Sequence, residues 1–379
     1  MINVLRERIY NKYKSAIGKS RSSLVTPALI FDLNVAKHNI QLMFERMQEM
    51  PAKLRPHIKV QKCIELAKMQ IEAGAIGICT ATVWEAIVMS NAGIEDVLIA
   101  NEVVGKEKIK ALAEAARCGK LSLAVDNVQN SEDLSNAARE AGSELGILIE
   151  VDIGMRKGGV RSAEEALTLA QHLRKLPNLR FLGVQGYEGH CMGEFNRVAR
   201  MEKVKQAMDY LGEVILKLAK AGFECKIVSC GGTGTFDITG TDSRVTEIQA
   251  GTYVFMDKFH VNLVPDFKHS LTVLSTVIIK HGNTVVMDAG RKSIGVDFAM
   301  PTMVDYPNYE ARGFHEEHAL FDVDKSCKLK IGDTVELIPG YTGTTVNFYD
   351  AYHVVEDDVV VDIWPVIPRG PGHSGILSS

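Results

Sequence analysis

The chain has 379 residues, 46% hydrophobic and 24% charged, with a formal net charge of −4. That length predicts about two domains rather than one small core, and the charge gives no electrostatic reason to expect nucleic acid or an acidic membrane surface as a partner. No apolar run approaches the ~20 residues of a membrane span, and the charged start "MINVLRERIYNKYKSAIGKS" lacks the apolar stretch of a secretory signal.

From residue 26 to about 256 one rhythm repeats. Short apolar runs ("ALIFDL", "RPHIKV", "IGICT", "VLIAN", "LSLAVD", "GILIEVD", "FLGVQGY", "KIVSCGG") alternate with longer amphipathic stretches. Behind "ALIFDL", the residues Ala36, Ile40, Met43, Phe44 and Met47 recur at helical spacing and predict one apolar stripe on a helix. Ser162 and Glu165 have capping-box spacing just before "ALTLAQHLRKL". Strands buried on both faces and separated by helices predict a parallel α/β sheet. About eight units in this length fit a (β/α)8 barrel of the TIM type; a doubly wound open sheet is the competitor. After "DKFHVNLVPDFKH" the pattern turns β-rich with tight polar turns, which predicts a C-terminal antiparallel β domain. The expected division is a barrel over 26–258 and a β-rich domain made of 1–25 and 259–379. The Gly/Ser-rich tail "RGPGHSGILSS" is expected to be loose. The seven cysteines (63, 79, 118, 191, 225, 230, 327) are odd in number and never spaced C-x-x-C. That suits reduced thiols in a cytoplasm better than a disulfide framework or zinc cluster.

In a parallel barrel, functional groups gather at the C-terminal ends of strands. "RPHIKV" ends with His57 and Lys59, which strand alternation would place on one face. A lysine facing a barrel interior has a desolvated amine able to attack a carbonyl; the competing reading is a strand-end lysine that reaches solvent. "SCGGTGTFD" follows the strand "KIV". Its Gly231, Gly232, Thr233 and Gly234 could turn backbone N–H groups and hydroxyls toward one anion, unless the segment is simply a flexible turn. In "EVDIGMRKGGV", Arg156 or Lys157 could donate to an anionic oxygen or form a solvated basic turn. "GVQGYEGHCM" offers Gln185, Tyr187 and His190, the last a candidate acid–base group or an ordinary satisfied histidine. Cys191 reads as a small buried hydrophobe. An imine-forming lysine and a phosphate cradle together describe a cofactor with an aldehyde at one end and a phosphate at the other. Pyridoxal 5′-phosphate fits that description.

The set "RPHIKVQK", "GICTATVWEA", "ILIEVDIG", "GGTGT", "QAGTYVFMD", "MDAGRK" and "TVNFYD" resembles the D-threonine aldolase / D-serine dehydratase family, whose barrel is alanine-racemase-like. The likeness runs from residue 26 to about 366. It implies that Lys59 holds pyridoxal phosphate, that Gly231, Gly232, Thr233 and Gly234 bind its phosphate, and that Tyr253 lies near its ring. It also implies a homodimer whose active site lies where the barrel meets the β domain. Two positions depart from the pattern. Lys157 stands where the family carries an arginine, with Arg156 displaced by one. The family's divalent metal is held by a His-x-Cys or His-x-Asp pair just before "TVN", where this chain has Tyr341 and Gly343. Glycine has no ligand atom and a neutral phenol is a poor ligand. His318, His353 and His373 show no paired spacing, so a divalent metal is not expected at the family's usual site. The expected activity is therefore an aldolase-type lyase acting on a D-configured β-hydroxy-α-amino acid, with Lys59 as the imine lysine and His190 and Tyr341 as candidate bases. A racemase, a D-serine-type dehydratase or a non-catalytic carrier of the cofactor are the alternatives.

Overall fold

The computed structural model describes residues 2–371, so His373 and the end of the Gly/Ser tail lie outside the described residues. Contacts divide the described chain into two units, one of residues 43–59 and 66–251, the other of residues 2–42, 60–65 and 252–371. The first strand, β1 (Ala28–Asp32), had the apolar run expected of a barrel strand. It lies instead inside the second unit's sheet, antiparallel to β10 (Leu271–His281) and parallel to a late strand at residues 351–356. Ala28, Leu29, Ile30 and Phe31 are all buried, so both faces of β1 are covered and it reads like a strand of a parallel sheet, which is why composition misplaced it.

Eight parallel strands build the first unit: β2 (Lys53–Leu54), β3 (Ile78–Thr80), β4 (Asp96–Ile99), β5 (Lys120–Val125), β6 (Leu145–Glu150), β7 (Leu179–Gln185), β8 (Ile227–Cys230) and β9 (Glu247–Ile248). Their order is β2-β9-β8-β7-β6-β5-β4-β3. A parallel bridge between His57 and Cys79, with Ile76 N donating to Leu54 O (3.0 Å) and Cys79 N to Pro56 O (2.9 Å), joins the two ends and closes the ring. The eighth strand is thus β9, not the expected "ALIFDL". β9 is two residues long and begins with a charged glutamate, so it carries no strand signature.

Helices between the strands start at side-chain caps, as loops of this kind require. Thr82, Asn127, Ser162 and Asn196 each accept from a backbone N–H three residues on. The Ser162–Glu165 pair and the stripe on Leu33–Gln48 are as expected. Cys79, Leu98 and Leu148 fill the barrel interior with Leu182 and Ile227 packed on them. Gly146 leaves room for Leu182, whose Cδ1 would lie 2.5 Å from a Cβ there.

The second unit is a nine-stranded sheet around β10. Its remaining strands are β11 (Thr284–Met287), β12 (Thr302–Met303), β13 (Ala311–Phe314), β14 (Ala319–Asp322), β15 (Thr334–Ile338), β16 (Ala351–Glu356) and β17 (Val359–Pro365). The first 25 residues join this unit, but chiefly as the helix Ile2–Tyr13, with a single bridge from Ser20 to Val359 instead of a strand. Ala16, Leu24, Ala28, Ile30, Val355 and Ile363 form part of its core. No described helix is long and apolar enough to cross a membrane.

Candidate active site

Lys59 follows β2, but not on a continuing strand. Ile58–Val60 is a 3-10 turn, and Lys59 N lies within hydrogen-bonding reach of His57 Nδ1 at 3.4 Å. The alternation expected to put His57 and Lys59 on one face therefore does not apply. His57 is buried in the ring closure. Lys59 is accessible by surface area, yet the protein around it is dense. Burial lowers its pKa below the usual lysine value, Lys157 adds to the depression, and Glu85 opposes it. Both observations hold for an amine in an open-mouthed hollow, and the depressed pKa is the one that bears on nucleophilicity. The Lys59 ammonium lies 5.8 Å from the centre of the Tyr187 ring.

Tyr187 links the lysine to the glycine loop. A Cβ at Gly232 would lie 2.6 Å from Met192 Cε and 3.3 Å from the Tyr187 hydroxyl; one at Gly231 (φ +78) would lie 2.7 Å from Ile248 Cδ1. Side chains at these two places would fill the cradle, so its floor is bare backbone. Glu188, fully buried, ties the loop down by accepting from Gly231 N (3.1 Å), Thr235 Oγ1 (2.7 Å) and Thr239 Oγ1. Gly232 N donates to Thr235 Oγ1 (3.1 Å), and Thr233 is buried within the loop. A desolvated amine, an aromatic face and an anchored glycine loop with a side-chain-free floor at the C-terminal strand ends fit pyridoxal phosphate.

A polar chain crosses the same strand ends. Gln249 Nε2 donates to Ser229 Oγ (2.7 Å) and Gln185 Oε1 (2.8 Å), while Gln185 Nε2 donates to Glu150. Burial pushes the Glu150 pKa up to about 8; Glu102 and Asp126 add to this, while Gln185 and Lys157 oppose it. The folded protein therefore keeps this proton up to about pH 8, whereas the unfolded chain releases it near the ordinary carboxylate value. Between those limits the folded state holds more protons, so this contribution to stability falls as pH rises and is lost on passing about 8. Glu150→Gln is expected to flatten that part of the stability profile, measured by urea unfolding from about pH 5 to 9.

The remaining expected residues fall at several places. Lys157 is the cation whose charge reaches both Lys59 and Glu150. Arg156 has a left-handed backbone (φ +54), and its N–H donates to Asp152 Oδ1 (2.8 Å) in an exposed turn. His190 is exposed and packs on Gly154, where a Cβ would lie 2.5 Å from its ring; Cys191 Sγ is 3.5 Å from its Nε2. Gly234 lies in the buried loop beside Thr233.

Tyr253 and Tyr341 belong to the sheet unit. Tyr253 is fully buried, its ring 5.9 Å from Phe267. Burial, Asp257 and Asp297 push the Tyr341 pKa up to about 12, so the phenol stays neutral. A Cβ at Gly343 would lie 2.8 Å from the Tyr341 ring. That ring occupies the space a ligating side chain would need, so these two positions do not fit the family's metal pair. His353 Nδ1 faces Leu29 O at 3.2 Å, and His318 is exposed in a turn. Among the described residues no group of three or more His, Cys, Asp or Glu is arranged to hold a metal ion.

Sequence reasoning missed Glu188, Glu150 and Gln249 around the loop, and the Asp257–His260 pair in the sheet unit. Asp257 is fully buried, and its Oδ1 lies in hydrogen-bonding contact with His260 Nδ1 at 2.8 Å. The signal was the D-x-x-H spacing in "MDKFH", which by itself says little.

The sequence profile of "Alanine racemase, N-terminal domain" matches residues 31–258, and that of "Putative serine dehydratase domain" matches residues 270–355. The chain is 36% identical to a D-threonine aldolase of Arthrobacter sp, over 93% of this chain and 95% of that one. It is 32% identical to a 3-hydroxy-D-aspartate aldolase of Paracoccus denitrificans, over 94% and 95%. The crystal structure of D-threonine aldolase from Filomicrobium marinum superposes with a TM-score of 0.88 at 32% identity, covering 92% of this chain and 97% of that one. With both domains matched and relatives above 30% identity along nearly the whole chain, the chain belongs to the D-threonine aldolase / D-serine dehydratase family of enzymes with alanine-racemase-like barrels.

Proposed function

We propose that the protein is a pyridoxal-phosphate-dependent lyase of aldolase type. It cleaves a D-configured, D-threonine-like β-hydroxy-α-amino acid to glycine, or a related amino acid, and an aldehyde. The observation that carries this reading is Lys59, accessible yet desolvated, beside Tyr187 and an anchored glycine loop. Bound there, the cofactor supplies an electron sink for the pair released at Cα. Lys59 would hold the cofactor through its amine and, when free and protonated, would return a proton to Cα. The loop 231–234 would seat the phosphate on its side-chain-free floor, with the Gly231 and Gly232 N–H groups spent on Glu188 and Thr235 to hold its shape, and Tyr187 would cover one face of the site. Glu188 keeps the loop from collapsing, and the Glu150–Gln185–Gln249 chain fixes the polar wall. His190 and Tyr341 are the bases named by the sequence for the β-hydroxyl; the high pKa of Tyr341 makes it a proton donor rather than an acceptor near neutral pH.

A dehydratase is the second reading, favoured by the serine dehydratase profile over 270–355. Departure of hydroxide is harder than aldol cleavage without a Lewis acid, and the donor set at 341–343 does not fit the family's metal pair. We further propose a cytoplasmic homodimer, in keeping with the seven free cysteines. Incubation with a panel of D-amino acids, with and without chelator, is expected to release aldehyde and glycine in both cases. Keto acid and ammonia would replace this reading with the dehydratase, and the mirror-image amino acid would replace it with a racemase. Full inhibition by chelator would overturn the metal argument.

A further inference from the structure

Four adjacent strands of the barrel, β6, β7, β8 and β9, end in polar side chains that join into one hydrogen-bonded belt. Glu150 pairs in register with Gln185, and Gln185 with Ser229. Glu150 lies two residues past Leu148 and Ser229 two past Ile227, both part of the interior packing, so alternation turns Glu150 and Ser229 toward the inside of the barrel. The belt borders the candidate site within the same unit. Gly231 follows Ser229 by two residues, Gln249 N donates to Cys230 O at 2.9 Å, and the charge of Lys157 reaches both Glu150 and Lys59. Within the belt Gln185 Nε2 donates to Glu150, and Gln249 Nε2 donates to Gln185 Oε1 (2.8 Å) and Ser229 Oγ (2.7 Å). Gln249 keeps 7% of its surface exposed, and its Oε1 makes no hydrogen bond among the described residues, so that oxygen is the free end of the belt.

A side-chain amide carries its donor and its acceptor in nearly equivalent places, so turning both glutamines over keeps every heavy-atom contact and reverses every bond. Glu150 then donates to Gln185 Oε1, while Gln185 Nε2 and Ser229 Oγ donate to Gln249 Oε1, leaving Gln249 Nε2 at the free end. A carboxylate has no proton to give, so an ionised Glu150 admits only the first direction; a carboxylic acid admits the second. We propose that Glu150, Gln185 and Gln249 are positioning residues that form a reversible amide relay, in which a proton on Glu150 releases Gln249 to turn from acceptor to donor toward the group seated beside it. This deepens the cofactor reading above and rests on it. A pyridine nitrogen with a free lone pair is held by the donor and its protonated form by the acceptor, so the relay sets how strongly a ring seated there draws electrons. The proton on Glu150 answers to the charges that face it. Glu102 after β4 and Asp126 after β5 favour it, Lys157 in the loop after β6 opposes it, and the buried Cys230 thiol on β8 is kept protonated in part by Glu150.

The test reads the amides themselves in the cofactor-free protein. With glutamine side chains labelled with nitrogen-15 and assigned from Gln185→Met and Gln249→Met, both amide resonances should shift over one common midpoint near pH 8, where the Glu150 carboxyl carbon titrates. In Glu150→Gln, of the same shape but with no titrating proton, both should stay flat over that range. In the loaded protein the cofactor's absorbance band should change over the same midpoint, and Glu150→Gln should lose that change. A Gln249 resonance that stays flat while Glu150 titrates overturns the relay, a comparison made in the parent and so open even if Glu150→Gln misfolds. Amide shifts that persist in Glu150→Gln overturn it as well, because Lys59 or Lys157 would then be their source. A protein that takes up no pyridoxal phosphate refutes the cofactor reading, a different outcome, and the amide titration still decides the relay.

Discussion

Lys59→Ala is expected to remove the cofactor's absorbance and to lower turnover by about 10⁴-fold or more, the upper end of what a single acid–base group contributes. The effect should be large because the proposed function gives one amine two duties, holding the cofactor and moving the Cα proton. It should also be specific to residue 59. Lys62, the other lysine of the same stretch, has a left-handed backbone (φ +46), and its carbonyl accepts from Ile367 N at 2.7 Å in the sheet unit. Borohydride reduction of the loaded protein followed by peptide mapping reads the difference directly. A label on residue 59 is the expected result, and a label on residue 62, or none, defeats the assignment. Lys59→Arg is an informative second variant: it keeps the cation but is too basic to attack a carbonyl at neutral pH.

What the sequence revealed divides along physical lines. The parallel strands were legible because burial on both faces leaves long apolar runs, and the glycine loop because its composition is forced by close backbone approach. β1 and β9 were exchanged for the same reason in reverse. A strand covered on both faces looks parallel wherever it lies, and a two-residue strand led by Glu247 looks like a loop. Lys59 was singled out by residue type and place, while its local conformation, a 3-10 turn, could not be foreseen from alternation. The buried pairs Asp257–His260 and Glu188–Thr235 were not legible as pairs. Asp257 and His260 are only three residues apart, but what marks them is burial, which the chain acquires on folding. Glu188 meets its partner across 47 positions. Charged residues were read as solvated by default, so the carboxylates that fold inward were missed together.

The largest stability effect is expected from one of those inward charges. Arg55 is 4% exposed; its Nε donates to Glu247 Oε2 (2.9 Å) and its Nη1 to Asp96 Oδ1 (2.6 Å). Burial disfavours its charge, but Glu247 and Asp96 more than offset this and raise its pKa above the usual value. Gly77 makes room for the guanidinium, since a Cβ there would lie 2.3 Å from Nη1. Arg55→Met should cost about 3–5 kcal/mol, because Glu247 is then left buried, charged and unpaired. Its Oε1 already lacks a hydrogen-bond partner. The double variant Arg55→Met/Glu247→Leu should recover most of that loss, because a matched apolar pair in place of a buried ion pair is often neutral. Urea unfolding of the two single variants and the double provides the cycle, with the coupling expected to exceed ~1 kcal/mol. Arg55 stands four residues before Lys59, and its side chain ties Glu247 of β9 to Asp96 of β4 across the two ends that the ring closure joins. The single variant should therefore weaken cofactor binding as well as stability, and the double should restore both together. Restored stability with cofactor binding still weak would mean that Arg55 serves the site by its charge rather than by closing the ring.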